Sequence, residues 1–402
     1  MQIFKARTLV QLLPGFSRTN STARKPPFGV AFIVGQLGLG GAEQQLYHLL
    51  SGLERSLFRP VVINLGPQHD EYWEQPIRDL GVSVWHVPHS LGRPGRIIRI
   101  ASLLGSERVQ LVHSWDLHTN PYAAVAGRLA GIPLRLGSMR LNYEGIPSDK
   151  LVRWTWYRGL DLLVTNSVAA ADQVQELRLT RADVHVVPNG VSIPEPINQV
   201  ERDRLRSELG FSETDSLIGS IGRIDDNKNY AMLLRAFAPL AKKWPTLRLV
   251  IIGDGSLKFQ LAAMAEGLGL ATKINLPGII PLAARYLPAM EVCCLTSYTE
   301  GMPNLIMESS AAGIPVVSTN CGGSVELIER GVTGYLVSPD DHGAMWTYLD
   351  SLLANPCQRH RMGQAAREKM LREFGVSTMV TRMTQIYEQA LMGKACYDYS
   401  DS

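Results

Sequence analysis

The chain alternates between short apolar runs of strand length and longer stretches with helical spacing, and this alternation constrains its fold more than any other feature. In the first half, runs rich in β-branched and aromatic residues occupy 30–34, 60–64, 82–87, 109–113 and 160–165. Helix-like stretches such as 42–53 and 119–130 separate them. Since apolar strands that alternate with helices form parallel sheets covered on both faces, this half predicts a doubly wound α/β domain.

A segment marked by prolines, 187–196, interrupts the alternation, and the same pattern then restarts. Strand-like runs follow at 217–221, 248–252, 273–276, 291–296 and 315–319, with helix-like stretches near 229–242, 256–268 and 303–312. A helical pattern from about 342 to 392 closes the chain. A length of 402 residues exceeds what one hydrophobic core usually serves, so we predict a second α/β domain of similar size.

The predicted boundaries give two Rossmann-like domains, 28–190 and 191–375, between a basic tail, 1–27, and a closing helix and tail, 376–402. The turn-forming residues of the proline-marked segment are typical of a hinge between them. Two such sheets that face each other place the carboxyl ends of their strands around one cleft. Open α/β folds bind ligands at those ends, so the sequence predicts an interdomain ligand site.

Two glutamates, Glu300 and Glu308, flank a predicted helix start between two strand-like runs. Pro303 fits the first helical turn, and Gly313 and Pro315 fit the stop, which predicts a helix over about 303–312. Its unpaired amides, from 302 to 305, would face an incoming anion. One carboxylate can then reach the polar edge of a ligand, and the other can accept from hydroxyls deeper in the site. A ligand with phosphates between a sugar and a ribose would fit this arrangement. The alternative is a solvated loop residue and an ordinary helix residue.

The residues around these glutamates carry a family resemblance. Thr296-Ser297-Tyr298, the Gly-x-Pro-Asn after the first glutamate, and 311–317 after the second closely resemble the E-x7-E region of retaining glycosyltransferases of family 4. The resemblance extends over nearly all of residues 28–345, more loosely in the first half. It implies the GT-B fold, a nucleotide diphosphate sugar as donor, transfer with retention and no bound metal or other cofactor. It also implies that the last helix crosses back onto the first domain.

A glycine-rich loop, Gly38-Leu39-Gly40-Gly41-Ala42-Glu43, follows the first strand-like run. Backbone amides at Gly40 and Gly41 can approach phosphate oxygens because no Cβ intervenes. The loop is not a dinucleotide fingerprint, since the third glycine of that motif would fall at Glu43. A packing turn is the alternative; the resemblance implies contact with the donor phosphate or the acceptor.

Two cations, Arg223 and Lys228, follow a strand end and precede a helix-like stretch. Their side chains can converge on a diphosphate and offset the charge of a departing nucleotide, although most surface cations have no such role. The pattern resembles the phosphate-binding arginine and lysine of the family. Asp225-Asp226, between them, can be interpreted as metal ligands, but helix capping or solvation fits better.

The segment 113–120 resembles the H-x-H-x-x-H-x-N pattern of relatives, with Trp115 where they have the middle histidine. That departure puts the histidine's contact with donor sugar or acceptor in doubt. His118 can form hydrogen bonds near the reacting hydroxyl, and Trp115 can offer a flat face to a sugar. A core histidine and a core tryptophan are the alternatives.

The resemblance implies a set of roles. Arg223 and Lys228 would stabilise the leaving diphosphate, Glu300 would hold the donor sugar, and Glu308 would accept from the ribose hydroxyls. The predicted catalytic residues are Arg223, Lys228, Glu300 and His118; the predicted donor-binding residues are Gly40, Gly41, Gly301, Met302, Pro303, Asn304, Leu305 and Glu308. The expected partners are a UDP- or GDP-sugar donor and a sugar or lipid-linked acceptor, without nucleic acid.

Charge and cysteine content bear on location. The net charge is only +3, but the first 42 residues contain five cations and no acid, a composition that suits contact with an anionic membrane surface. An untethered tail or a misassigned start is the alternative. The five cysteines lack C-x-x-C spacing and suit a reducing cytoplasm. No run approaches the ~20 apolar residues that span a bilayer, so we expect a cytoplasmic protein, peripheral at the inner membrane face if bound.

The sequence therefore favours a retaining hexosyltransferase in cell-surface polysaccharide or glycolipid synthesis. Two alternatives stay open at this stage. One is a GT-B epimerase or phosphorylase, which would share the cleft but not the E-x7-E block. The other is a noncatalytic scaffold that binds a nucleotide sugar or a membrane surface.

Overall fold

The computed structural model describes residues 26–66, 69–140, 157 and 159–397. Its first sheet has seven parallel strands in the order β3-β2-β1-β4-β5-β6-β7. The strands are β1 (Phe28–Val34), β2 (Phe58–Asn64), β3 (Ser83–His86), β4 (Val109–Ser114), β5 (Leu134–Met139), β6 (Leu162–Thr165) and β7 (Asp183–Val186). The five runs predicted in this half are all strands, while β5 and β7 are additional.

The second sheet has six parallel strands in the order β10-β9-β8-β11-β12-β13. These are β8 (Ser216–Ile221), β9 (Leu247–Ile252), β10 (Ile274–Gly278), β11 (Val292–Leu295), β12 (Val316–Thr319) and β13 (Gly334–Val337). The strand β13 was not predicted. Both sheets are doubly wound, because β1 and β8 each have neighbours on two sides from different parts of the chain. The α/β prediction is confirmed.

Thirteen α-helices of the described residues surround the sheets. They are α1 (Gly41–Gly52), α2 (Glu74–Asp79), α3 (Gly92–Ser106), α4 (Asn120–Leu129), α5 (Val168–Glu176), α6 (Gln199–Glu208), α7 (Tyr230–Lys243), α8 (Lys258–Gly267), α9 (Asn304–Ala311), α10 (Ser324–Leu327), α11 (His342–Ala354), α12 (Pro356–Glu373) and α13 (Val376–Tyr397). No helix among the described residues is long and apolar enough to cross a bilayer.

The central strands are continuously apolar because helices cover both of their faces. In β1, every residue from Val30 to Val34 is buried. The helix α1 presents Leu46, Leu49 and Leu50 to one face of the first sheet, at the spacing of one helical stripe. Each such side chain contributes about 1.5–3 kcal/mol by leaving water, so strand and helix are held together mainly by apolar burial.

The last helix, α13, returns from the second unit to the first. Its residues Met379, Met383 and Tyr387 lie in the same hydrophobic cluster as Phe32 of β1. The hydroxyl of Tyr387 lies 2.6 Å from Nδ1 of His113, at the end of β4. The end of the described chain therefore completes the core of the first unit.

Candidate functional site

The two sheets meet where α1 and α9 begin. The side-chain amide of Asn304 donates to the carbonyl of Gly41, with 3.3 Å between nitrogen and oxygen. One turn further along each helix, Nε2 of Gln44 donates to Oε1 of Glu308 over 3.1 Å. The structure therefore places the predicted glycine-rich loop directly opposite the predicted E-x7-E helix. Gln44, which sequence reasoning missed, links them.

The proline-marked segment 187–196, which was predicted to be a hinge, contributes a second set of contacts. Nδ2 of Asn189 donates to Oδ1 of Asn304 over 2.9 Å and to the carbonyl of Met302 over 3.2 Å. The buried amide of Gln45 pairs with both backbone groups of Gly190, at 2.9 and 2.7 Å. The proline-marked segment thus holds both helix starts in place. Sequence reasoning predicted a hinge in this segment but did not identify Asn189 and Gln45 as the residues that anchor it.

The predicted helix over 303–312 is α9, which begins one residue later than expected. Pro303 has extended geometry and precedes the helix rather than opening its first turn. The side chains of Met302 and Leu305 are buried in the core of the second unit. Any contact that Met302 or Leu305 makes with a ligand must therefore use the backbone.

Lys228 and Glu300 form the charged centre of the second unit's side of the cleft. Nζ of Lys228 lies 2.5 Å from Oε1 of Glu300, and both side chains are less than one fifth exposed. The hydroxyl of Ser297 donates to the same carboxylate oxygen over 2.6 Å. Lys228 follows β8 and Glu300 follows β11, which are neighbours in the sheet, so their strand ends bring them together.

The side chain of Arg223 does not join the ion pair between Lys228 and Glu300. Its side chain is four-fifths exposed (80%), and its guanidinium lies 3.3 Å from the carboxylate of Asp225. Asp225 also accepts from the backbone amide of Lys228 and caps the short 3-10 turn there. The expected capping role of Asp225 is confirmed. The expected convergence of the two cations is not present in this arrangement.

Glu308 borders a cavity of about 220 Å³ between α1, α9 and the hinge. Desolvation raises the pKa of Glu308 to about 7, opposed only in part by the hydrogen bond from Gln44. The cavity is lined by Gln44, Gln45, His48, 190–194, Ala284, Arg285, Asn304, Met307 and Glu308. A carboxyl group with this pKa can accept hydrogen bonds from hydroxyls of a ligand in the cavity and can also carry a proton.

Gly301 allows the two units to approach each other. A Cβ at this position would overlap the carbonyl oxygen of Arg140 and would meet Oδ1 of Asn166 at 3.0 Å. That Asn166 oxygen is buried and has no hydrogen-bond partner among the described side chains and backbone. The predicted donor-binding loop therefore packs against the first unit through the backbone of Gly301, where there is no room for a side chain.

The first unit's side of the cleft carries acids and a histidine. Asp116 accepts from the amide of Gly35 over 2.9 Å, and burial raises the pKa of its carboxyl group. Burial likewise raises the pKa of Glu43, whose carboxylate lies against Gly40 and receives a hydrogen bond from Gln36. His118 is exposed on the 3-10 turn after β4, close enough to Asp116 for a positive charge on its ring to lower the pKa of that carboxyl group.

Trp115 cannot offer a face to a sugar in this structure, so that prediction is wrong. Its ring is 2% exposed, and its indole N–H donates to the carbonyl of Ala42 over 2.7 Å. The guanidinium of Arg140 covers the ring at 3.6 Å from its centre. Trp115 is a core residue, as is His113, and no local sequence pattern indicated that Arg140 lies over it.

Two doubly wound parallel sheets around one cleft, closed by a last helix that returns to the first unit, define the GT-B class of fold. Residues 39–194 match the family described as Glycosyltransferase Family 4, and residues 201–369 match Glycosyl transferases group 1. The chain belongs to this family of GT-B glycosyltransferases.

Relatives and solved structures agree with this assignment. The chain is 30% identical over 192 residues to the putative glycosyltransferase EpsD of Bacillus subtilis (strain 168), which is 48% of this chain and 50% of EpsD. It is 28% identical over 278 residues to the N-acetylgalactosamine-N,N'-diacetylbacillosaminyl-diphospho-undecaprenol 4-alpha-N-acetylgalactosaminyltransferase of Campylobacter jejuni, 69% of this chain and 68% of that one. The fold is similar to Anabaena HepE in complex with UDP-glucose (TM-score 0.78, 19% identity, 90% of this chain, 99% of HepE).

Proposed function

We propose that the chain transfers a sugar from a nucleotide diphosphate sugar to an acceptor hydroxyl, with retention at the anomeric carbon, in polysaccharide or glycolipid synthesis. The observation that carries the proposal is the Lys228–Glu300 pair, which lies on the second unit's side of the cleft. A cation beside a carboxylate offers two different ligands at once. The cation suits phosphate oxygens, and the carboxylate suits sugar hydroxyls.

The reaction breaks the bond between the anomeric carbon and a phosphate oxygen and forms a bond from that carbon to the acceptor oxygen. Negative charge grows on the leaving diphosphate as the first bond breaks. Lys228 and the first amides of α1 offset this charge, and Arg223 is exposed enough to swing toward it. The acceptor hydroxyl approaches the same face that the diphosphate leaves, and its proton passes to the departing phosphate oxygen.

Glu308 fits the ribose. Its carboxyl group faces the hinge cavity one helical turn beyond Asn304, and Gln44 holds it from the opposite helix. Ribose hydroxyls would donate to it and replace part of the hydration that burial removes. Glu300, nearer the cations, would then hold the sugar that is transferred.

The comparisons support the donor and acceptor classes. HepE is solved with UDP-glucose, and the Campylobacter jejuni relative is named for a diphospho-undecaprenol-linked sugar. We propose a UDP- or GDP-sugar as donor and a sugar or lipid-linked sugar as acceptor, with no bound metal. Without a metal, Lys228 and Arg223 supply the positive charge that neutralises the leaving diphosphate.

A two-part experiment tests this function. Thermal unfolding with UDP, GDP and their sugars should reveal one nucleotide class that raises the melting temperature, because a ligand that binds only the folded state stabilises it. Release of free nucleotide diphosphate should then depend on added acceptor. Binding without acceptor-dependent release across a panel of lipid-linked and free sugars would instead support a noncatalytic scaffold.

Substitution of Lys228 gives the sharpest prediction. Lys228→Ala should slow turnover at least about tenfold, equivalent to ~1.4 kcal/mol of transition-state stabilisation, with Arg223→Ala showing a loss in the same direction. Lys243→Ala is the matched control. Lys243 ends α7, and its Nζ forms a salt bridge of 2.7 Å with the carboxylate of Asp350 in α11. Near-wild-type turnover in both Lys228→Ala and Arg223→Ala would remove the diphosphate assignment.

A further inference from the structure

Arg140 follows β5 and lies on the ring of Trp115. Its guanidinium carbon is 3.6 Å from the ring centre, and its Nε donates to the carbonyl of Trp115 over 3.2 Å. The indole N–H of Trp115 is itself fixed to Ala42 in the first turn of α1. The tryptophan therefore acts as a rigid platform that sets the position of one cation.

Within the part of the chain that the structure describes, no carboxylate lies within ion-pair distance of this cation. Its Nη1 donates instead to Oδ1 of Asn189, a neutral partner, over 3.4 Å. Burial lowers the pKa of Arg140 to about 10. A partly buried guanidinium with no carboxylate in direct contact is costly to hold, and ionisable groups perturbed in this way cluster at ligand sites.

The position of Arg140 in the fold indicates that its ligand is the acceptor rather than the donor. In the first sheet the strand order reverses between β1 and β4, so the crevice lies above the carboxyl ends of these two strands. Arg140 follows β5, the next strand to β4. Asp116 follows β4, Glu43 lies in the first turn of α1, and both are near enough to favour the charged form of Arg140. The donor diphosphate has its own cations, Lys228 and Arg223, on the second unit.

We propose that Arg140, held on Trp115, binds a phosphate or diphosphate group of the acceptor, which makes it a specificity-determining residue for an anionic acceptor. The inference rests on the proposed function, because it divides the cleft into donor and acceptor sides. Trp115 thereby takes the place of a histidine common in relatives and supports a cation instead of contacting the sugar.

Calorimetry with inorganic pyrophosphate tests this assignment. The protein is first saturated with the nucleotide diphosphate identified by thermal unfolding, so that the donor's phosphate site is filled. Pyrophosphate should then bind the wild-type protein, and Arg140→Gln should weaken that binding at least about tenfold, as expected for loss of a charge-assisted contact. Arg140→Lys should recover part of the affinity, and Arg128→Gln, which removes an exposed arginine from α4, should leave it unchanged.

Other readouts separate the remaining roles. Affinity for the nucleotide itself should stay close to the wild-type value in Arg140→Gln; an equal loss of nucleotide affinity would assign Arg140 to the donor. The melting temperature of Arg140→Gln should match or exceed that of the wild type, whereas a large fall would assign Arg140 a structural role. Pyrophosphate binding that is absent from the wild type, or unchanged in Arg140→Gln, would overturn the proposal.

Failure of the proposed function would give a different pattern. If no nucleotide binds, pyrophosphate can be titrated into Lys228→Ala protein without nucleotide, and into the double variant that combines Lys228→Ala with Arg140→Gln. Weaker binding by the double variant would support the anion site while the donor assignment fails. Equal affinity of the single and double variants would remove the anion site.

Discussion

Glu308 illustrates how a single residue can be prepared for a ligand. Among the described residues, its carboxyl group receives a side-chain hydrogen bond from Gln44 and forms no salt bridge. Because burial penalises the charged form, the pKa of this group rises to about 7. The protein alone stabilises the carboxylate only in part, through Gln44, and ribose hydroxyls would supply further donors.

The raised pKa of Glu308 predicts a pH-dependent stability. The folded state holds the proton more tightly than the unfolded chain, whose value is near 4.5, so this contribution to stability is fully present below that value. It is lost as pH rises through the folded pKa of about 7. Without nucleotide, the melting temperature of Glu308→Gln minus that of the wild type should therefore be larger at pH ~8 than at pH ~5. A difference independent of pH would contradict the assignment.

Sequence reasoning located Glu300, Glu308 and Lys228 but not their partners. Lys228 and Glu300 are 72 residues apart, and no local pattern predicts that their strands are neighbours close enough for an ion pair. For Trp115, the predicted contact with a sugar was wrong. The pattern identified the strand that it follows, but the residue that covers its ring comes from the next strand in the sheet.

At the scale of elements, the site depends on two helices from different units, α1 and α9, that begin opposite each other. Gly41 and Gly301 permit this approach because neither has a Cβ. A Cβ at Gly41 would meet Nδ2 of Asn304 at 2.9 Å, and one at Gly301 would overlap backbone. The side-chain amide at Asn304 can move aside, whereas the backbone of Arg140 cannot without moving β5.

Gly301→Ala should therefore reduce nucleotide affinity and turnover by separating the two loops. Gly105→Ala is the matched control, because Gly105 lies in α3 and a Cβ there would meet no described atom within 4 Å apart from its own helix and chain neighbours. That control should be neutral or slightly stabilising, since alanine favours helix by about 0.5–1 kcal/mol over glycine. Thermal unfolding and nucleotide calorimetry measure both; equal behaviour of the two variants would show that the loops do not need this contact.

Apolar runs predicted ten of the thirteen strands of the described chain because each of these strands lies within a run of mostly apolar residues. The remaining strands, β5, β7 and β13, are short or interrupted by glycine and polar residues. Arg135 and Gly137 interrupt β5, and Asp183 and His185 interrupt β7. The last two, β7 and β13, are edge strands, where one side needs no partner and the apolar signal is weaker.

For the whole molecule, the basic tail gives a prediction that lies outside the described residues, which begin at 26. Residues 1–25 contain five cations and no acid together with apolar side chains, so they should add affinity for anionic vesicles. Salt should weaken this affinity by screening the charges. The measurement is flotation of the 402-residue chain, and of a form that starts at Lys25, with anionic and neutral liposomes at low and high salt.

Neutral liposomes are the control for apolar insertion alone. Equal flotation of the two forms with anionic liposomes would show that the tail adds no membrane affinity. Any remaining binding would then come from the folded units, and the anion site at Arg140 could be tested separately on that background.

The returning helix α13 determines when the first unit can finish folding. Met379, Met383 and Tyr387 fill the core beneath β1, yet they are translated after the entire second unit. During synthesis on the ribosome, the first sheet therefore emerges with an open apolar face and must wait for nearly the whole chain. The second sheet has no such requirement, so nascent chains that stall before α13 would present this unfilled face to chaperones.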